Sequence, residues 1–428
     1  MLQRPSLRWS ALLLLLSCAA LTARLQAQRN HENYDDIDPW VGIRTEAGPD
    51  SGAVAGFLAA LAASNPLVCQ LAVGAVGNNW HGWNDGEGPE TLEGNTAAQS
   101  ARETMSHRVS DSRALNRLAD ALGDRNACVR RAGARMLGRS EAPEAVRQLR
   151  SALRDRDPLI REAAALGLAE AEDPGSFPDL VKALRDDQPA VVRMAAFALG
   201  ELEDARAVKP LGQLLRSSEA GIRATAAWAL GDLEDIRAVD GLAPLVRDRD
   251  ARVRIAAVHA LGDIEDYRAT GALTEALGDQ DVAVRRSAAE ALGEVEDRKA
   301  GSALARAMDD RDPVVRRLAA QALGNLDNLK HAPPRLVTAL GDADPELRII
   351  AAKSLGDIGD STAVPALAKA YTSSDPRLRF AVVRALADIE DRRGTPVLDL
   401  ARQDPDRIVR RVASEALKDR QDDDDDDH

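Results

Sequence analysis

Aromatic residues are nearly missing from this chain: four phenylalanines, three tyrosines and five tryptophans stand among 428 residues. A core built without them must come from alanine, leucine and valine. That suits closely packed helices better than a β-sandwich, whose strands favour aromatic and β-branched side chains. Positive charge is outweighed, with 56 Lys and Arg against 69 Asp and Glu and a net charge of −13, which argues against nucleic acid as the main partner. After the first residues, no segment reaches the ~20 apolar residues of a membrane-spanning helix. Catalytic signatures are missing too: there is no HExxH, no Walker A motif, no G-x-S-x-G and no paired CxxC. The six histidines, His31, His81, His107, His259, His331 and His428, show no pair at ligand spacing, so neither a metal nor a cofactor is expected.

The ends differ from the rest. Arg4 and Arg8 precede a short apolar run, Ala11 to Leu16, followed by small residues. This reads as a signal peptide over residues 1–27, cleaved after Ala27, so that the protein is exported to a periplasm or secreted. Alternatively, Leu15-Leu16-Ser17-Cys18 resembles a lipobox, and Cys18 would be lipidated and tether the protein to a membrane. Removing residues 1–27 takes away Arg4, Arg8 and Arg24 and no acid, so the charge moves from −13 to −16. Residues 28–50 read as a linker and 421–428 as an acidic, disordered tail. Only Cys69 and Cys128 remain after cleavage. A disulfide is allowed outside the cytosol, but in the register below they lie about two repeats apart, and two buried free thiols are expected.

One phrase dominates what is there. "RATAAWALGDLEDIRAV" begins at Arg223 and "RIAAVHALGDIEDYRAT" at Arg254. Anchored at the end of each "ALG", the copies fall at Gly138, Ala169, Gly200, Gly231, Gly262, Gly293, Gly324, Gly356, Ala387 and Lys418, every spacing 31 except one of 32. Constant period means a solenoid, in which each unit buries its neighbour's apolar stripe. Each unit reads as two helices. The first, as in "AVKPLGQLLRSS" from Ala207, has helical spacing of Val208, Leu211, Leu214 and Leu215. The second opens on an acid, often followed by proline, as at Asp312-Pro313 or Asp404-Pro405, an N-cap followed by a first-turn proline. Asp235 and Asp266 are placed to cap the next first helix, and the glycine is read as lying near the second helix's C-terminus. The fold expected is an all-α, right-handed α-solenoid of about ten two-helix repeats over 111–420. An atypical cap over 51–110 carries a Gly/Trp insert, residues 79–95. That insert is either an exposed loop or a partner-binding loop presenting Trp80 and Trp83.

"DPVVRRLAAQALGNLDN" (Asp312–Asn328) and "ARVRIAAVHALGDIEDYRAT" (Ala251–Thr270) resemble HEAT-like repeats of the short class named for phycobilisome lyases. The resemblance is specific for fold and nearly silent on function. It implies two enzyme readings, a bilin-lyase-like protein and a deoxyhypusine-hydroxylase-like oxidoreductase. The latter's His-Glu iron ligands align with Arg286 and Ser287 in one unit and Arg317 and Leu318 in the next, so this chain has the architecture without the dyads.

Two sets of residues on the second helix are candidates for more than packing. The repeated arginines, among them Arg223, Arg254, Arg285 and Arg316, are expected to form a structural ladder with neighbouring aspartates rather than a ligand site. Counting each second helix from its arginine, positions −1, 3 and 7 face the core, while positions 1 and 5 share another face. Position 5 varies: Phe197, Trp228 and His259 fall in successive units, with Ala224 and Ile255 at position 1 beside them. Second helices are expected to line the concave surface. This patch reads either as a peptide-binding anchor or as aromatics that fold over small residues. The function expected is therefore a non-catalytic exported scaffold for a protein or peptide, touching a membrane only if Cys18 is lipidated.

Overall fold

The computed structural model describes residues 50–63, 109–140, 142–326 and 328–426. Cys18, Cys69, Trp80, Trp83 and residues 1–49 lie outside the described residues. All regular structure among the described residues is helical. The chain divides into two compact units, residues 1–171 and 172–428.

In the first unit the described helices are Ser51–Ala62, Ser112–Ala121, Ala127–Gly138, Pro143–Ala152 and Pro158–Ala171. Asp111 and Asn126 cap two of them, accepting from Ala114 N–H at 2.7 Å and Cys128 N–H at 2.9 Å. Helix Ser51–Ala62 lays Leu61, with Phe57 and Leu58, against Ala121, Cys128, Val129 and Ala132. This corrects the expectation for Cys128. It is disulfide-bonded rather than a free thiol, and its partner lies outside the described residues. The error came from assuming a regular stack of layers: the chain leading up to residue 63 rests directly on Cys128 instead of two layers away.

In the second unit the second helices run from Pro189–Glu201 through Ala220–Asp232, Ala251–Asp263, Val282–Val295, Pro313–Asn325, Pro345–Ile358 and Pro376–Asp388 to Arg407–Asp426. Each packs on the next and on its own first helix, which makes an all-α solenoid. Positions −1, 3 and 7 are buried as the spacing requires: Val253, Ala257 and Leu261 in one copy, Val284, Ala288 and Leu292 in the next. Positions 4 and 6 are buried as well, Ala227 and Ala229 among them, because these helices are flanked on three sides.

The start signals work as read in five second helices, while Gln188 and Glu219 ahead of Pro189–Glu201 and Ala220–Asp232 make no side-chain cap bond. Asp250, Asp281, Asp312, Asp344 and Asp375 each accept from the N–H two residues on. In the last unit Asp406 caps, accepting from Ile408 N–H at 2.7 Å, while Asp404 of the Asp-Pro pair is buried as the partner of Arg379. The first helices open on a 3-10 turn, such as Ala205–Ala207 ahead of Val208–Leu214, and Asp204, Asp235 and Asp266 cap those turns. The last helix keeps helical backbone to Asp426, into the run of aspartates read as a tail.

The "ALG" glycines lie near the C-termini of the second helices, as read, one or two residues before the last helical residue. Gly231 lies inside Ala220–Asp232, and a Cβ there would sit 2.7 Å from Ala260 Cα. Gly262 meets Ala291, Gly293 meets Ala322 and Gly356 meets Ala385 in the same way. Glycine at position 8 against alanine at position 6 of the next unit lets adjacent second helices approach backbone to backbone. The chain reversal falls three residues later, at left-handed Glu203, Glu234, Glu265, Glu296 and Glu390 and at Gly359. Only one of these positions carries the residue that conformation favours.

Candidate functional site

The repeated arginines tie unit to unit. Arg223 is bidentate to Asp248, with Nε and Nη2 donating at 2.7 Å each, while Nη1 donates to the Ser217 carbonyl at 2.8 Å. Arg254 holds Asp279 and Arg285 holds Asp310 in the same fork. Arg223 and Arg254 are 6% exposed, so their charge is sequestered in these bonds and not offered to a ligand. Arg316 keeps the carbonyl bonds to Asp310 and Arg311, but its expected aspartate, Asp342, takes Arg335 at 3.2 Å instead. This falls in the unit with the 32-residue spacing. The hydrogen bond from Arg223 raises that guanidinium's pKa, as Asp279 does for Arg254.

Two further ladders recur that the sequence reading missed. Arg286 and Arg317 at position 1 pair with the capping aspartates Asp312 and Asp344 of the next second helix, at 2.7 and 2.8 Å. Their guanidinium groups serve as inter-repeat clips. At position 14, Arg237 and Arg268 bind their own capping Asp235 and Asp266. Each also donates to a carbonyl of the preceding unit, Ala205 at 3.1 Å and Ile236 at 2.7 Å. The only sequence signal for both is charge recurring at the repeat period.

Of the variable stripe, the structure brings two members together. Phe197 and Trp228, on successive second helices, stack with centroids 5.2 Å apart and planes 21° from parallel. Both rings are half-buried. The Trp228 edge also leans toward Gly200, 3.4 Å from where a Cβ would stand. The pair thus covers the small residue of one unit while showing part of its surface. His259 does not join the stack. It is exposed, and its Nε2 lies 2.9 Å from Ser287 Oγ in the next unit. Ala224 and Ile255 are half-buried on the same two helices as Trp228 and His259. Trp80 and Trp83 fall outside the described residues.

One turn beyond the stripe, at position 9, an acid recurs: Glu201, Asp232, Asp263 and Glu294, then Asp357 and Asp388. Desolvation pushes the Asp263 carboxyl up, eased by His259 and reinforced by Glu234 and Glu265. Glu294 is pushed up by desolvation and then by Asp263, Glu290 and Glu265. Asp263 thus repels Glu294 one unit on, as Asp388 repels Asp357. None of Glu234, Asp263, Glu265, Glu290 and Glu294 makes an ion pair among the described residues, whereas Asp248, Asp279, Asp310, Asp312 and Asp344 each hold an arginine.

Comparison with known proteins agrees with this architecture. A family model for HEAT repeats matches residues 115–199, 189–253, 239–324 and 333–418. No curated protein matches the sequence. Among solved structures, Kap95p bound to RanGDP is similar over 86% of this chain and 58% of its own, with 14% identity and a TM-score of 0.52. An engineered protein matches over 72% of this chain and 98% of its own, at 23% identity and a TM-score of 0.46. The CpcE–CpcF phycocyanin lyase of Nostoc sp. PCC7120 matches over 52% and 92%, at 24% identity and a TM-score of 0.34. Repeats matched over most of the length, stacked helical pairs and period-locked ladders lead to one conclusion: the chain belongs to the HEAT-repeat family.

Proposed function

We propose that the protein is a non-catalytic, exported scaffold that holds a protein or peptide on the face formed by its second helices. The observation that carries this is the half-buried Phe197–Trp228 stack. In a repeat region almost empty of aromatics, two rings meet on the face where positions 1 and 5 vary from unit to unit, while Arg223, Arg254 and Arg285 are engaged between units. A partly desolvated aromatic pair with a charged surround is the usual anatomy of a protein-binding hot spot. HEAT-repeat proteins commonly bind proteins, which supports the same reading.

Export rests on the signal-like residues 1–27 and gains support from the disulfide at Cys128, a bond that persists in oxidising compartments. Mass spectrometry of the mature N-terminus separates cleavage after Ala27 from lipidation at Cys18. For the binding site the test is crosslinked capture from the envelope and secreted fractions with wild type, Trp228→Ala and Phe197→Ala, each checked for native helix content. A partner lost from both variants supports the site. A partner kept equally by all three removes it, and no specific partner for wild type removes the scaffold itself.

A further inference from the structure

The binding face is not electrically neutral, and its asymmetry specifies what it takes. Running from Phe197 and Trp228 toward later units, the second helices present His259, Asp263, Glu290 and Glu294, with Glu234 and Glu265 at the adjoining chain reversals. The arginines on these same second helices are already engaged, and His259 alone eases Asp263. Arg254 is closed on Asp279, Arg285 on Asp310 and Arg286 on Asp312. The five acids themselves have no ion pair among the described residues, although elsewhere in the same units nearly every capping or linking aspartate has an arginine. Like charges held one layer apart without counter-charge raise the free energy of the free protein, and a cationic partner relieves it. The aromatic pair supplies a π-face for the same kind of partner.

From the Phe197–Trp228 stack lying beside the unpaired column of Asp263, Glu290 and Glu294, we infer that the partner is a cationic peptide segment: an apolar anchor on the rings followed by Lys or Arg on the acids. Geometry sets the spacing. Second helices stack about 8–10 Å apart, and an extended chain advances about 3.3 Å per residue. Asp263 is one layer beyond Trp228 and Glu294 two, so the basic residues fall about three and about six positions from the anchor. This rests on the proposed binding role of the second-helix face and gives its partner a chemistry.

The test is selection of a random displayed peptide library on the full mature protein, followed by fluorescence anisotropy of the enriched peptides. Four proteins are compared: wild type, Trp228→Ala, the double variant Asp263→Asn/Glu294→Gln, and a charge-matched control, Asp240→Asn/Asp399→Asn, whose changes lie on first helices. The expected result is peptides with an apolar residue and Lys or Arg at those spacings. Their affinity should fall about tenfold or more in both site variants and little in the control, and should weaken between about 0.05 and about 0.5 M salt. Neutral or acidic peptides that lose affinity with Trp228→Ala but not with Asp263→Asn/Glu294→Gln would overturn the cationic partner and leave the binding face standing. Cationic peptides equally weakened by the control would show diffuse charge attraction and overturn it as well. Peptides indifferent to Trp228→Ala, or no enrichment at all, would overturn both.

Discussion

The tightest contact in the repeat is the one between position 8 of one second helix and position 6 of the next, and it supports a paired experiment. Gly231→Ala places a methyl carbon 2.7 Å from Ala260 Cα and 2.9 Å from its Cβ. Ordinary carbon contacts lie at about 3.5–4.0 Å, so the two helices must separate by about 1 Å. The obstacle is backbone and a methyl group, neither of which can rotate away. Overpacking of this kind costs about 1–3 kcal/mol. Against it stands the helix propensity gained, about 1 kcal/mol for glycine to alanine. That gain can be cancelled by using a second glycine as reference. Gly212 lies in the first helix Val208–Leu214 of the same unit and has nothing within 4 Å of its would-be Cβ. Gly212→Ala is therefore expected to stabilise by about 0.5–1 kcal/mol. Gly231→Ala should fall below it by the overpacking cost alone, about 1–3 kcal/mol. Urea unfolding followed by far-UV circular dichroism measures both, with equal m-values required before midpoints are compared. If the two variants proved equally stabilising, close approach through glycine would not be what the "ALG" phrase encodes.

Two other perturbations probe the period-locked features. The Arg286 guanidinium holds the Asp312 carboxyl at about 2, well below its usual value, helped by the N–H groups of Val314 and Val315 and opposed by partial burial. A depressed carboxyl contributes stability above its unfolded pKa of about 4 and loses it as pH falls toward the folded value, since the unfolded chain then binds more protons. Urea midpoints should therefore drop between about pH 4 and pH 2, less steeply in Arg286→Met than in wild type. Parallel profiles would deny the clip its role. Glu234 sits at a left-handed φ of 48°, a conformation costing a side-chain-bearing residue about 1–2 kcal/mol. After the entropy glycine loses on folding, Glu234→Gly should stabilise by about 0.5–1 kcal/mol in thermal unfolding, and a loss would mean that the glutamate side chain makes a compensating contact.

How much could be read beforehand depended on whether a residue's partner was local or one repeat away. The helical spacing of Val253, Ala257 and Leu261 and the capping aspartates at 250, 281, 312 and 344 follow from rules that act within a single turn, and the structure places them accordingly. Gly231 does lie near its helix's C-terminus as the spacing implies, but its reason to be glycine, the close approach of Ala260 29 positions along the chain, has no local signal. Asp404 was misread because an Asp-Pro pair looks like a cap wherever it falls, and only the stacking shows Arg379 waiting for it. Cys128 failed for a different reason: an even spacing of layers was assumed around it, whereas the segment ending near Leu61 packs directly against it and it is disulfide-bonded. The site divides along the same line. That Phe197, Trp228 and His259 would occupy one stripe is a consequence of the period. That only the first two stack, with His259 turning to Ser287, depends on side-chain reach across the layer. The unpaired acids at 263, 290 and 294 could not be distinguished by type from the paired ones at 248, 279 and 310, because carboxylates of both kinds recur at the same interval. What separates them is where the arginines go: the array directs them to its own seams and leaves the second-helix face beyond Trp228 with charge to be neutralised by something else.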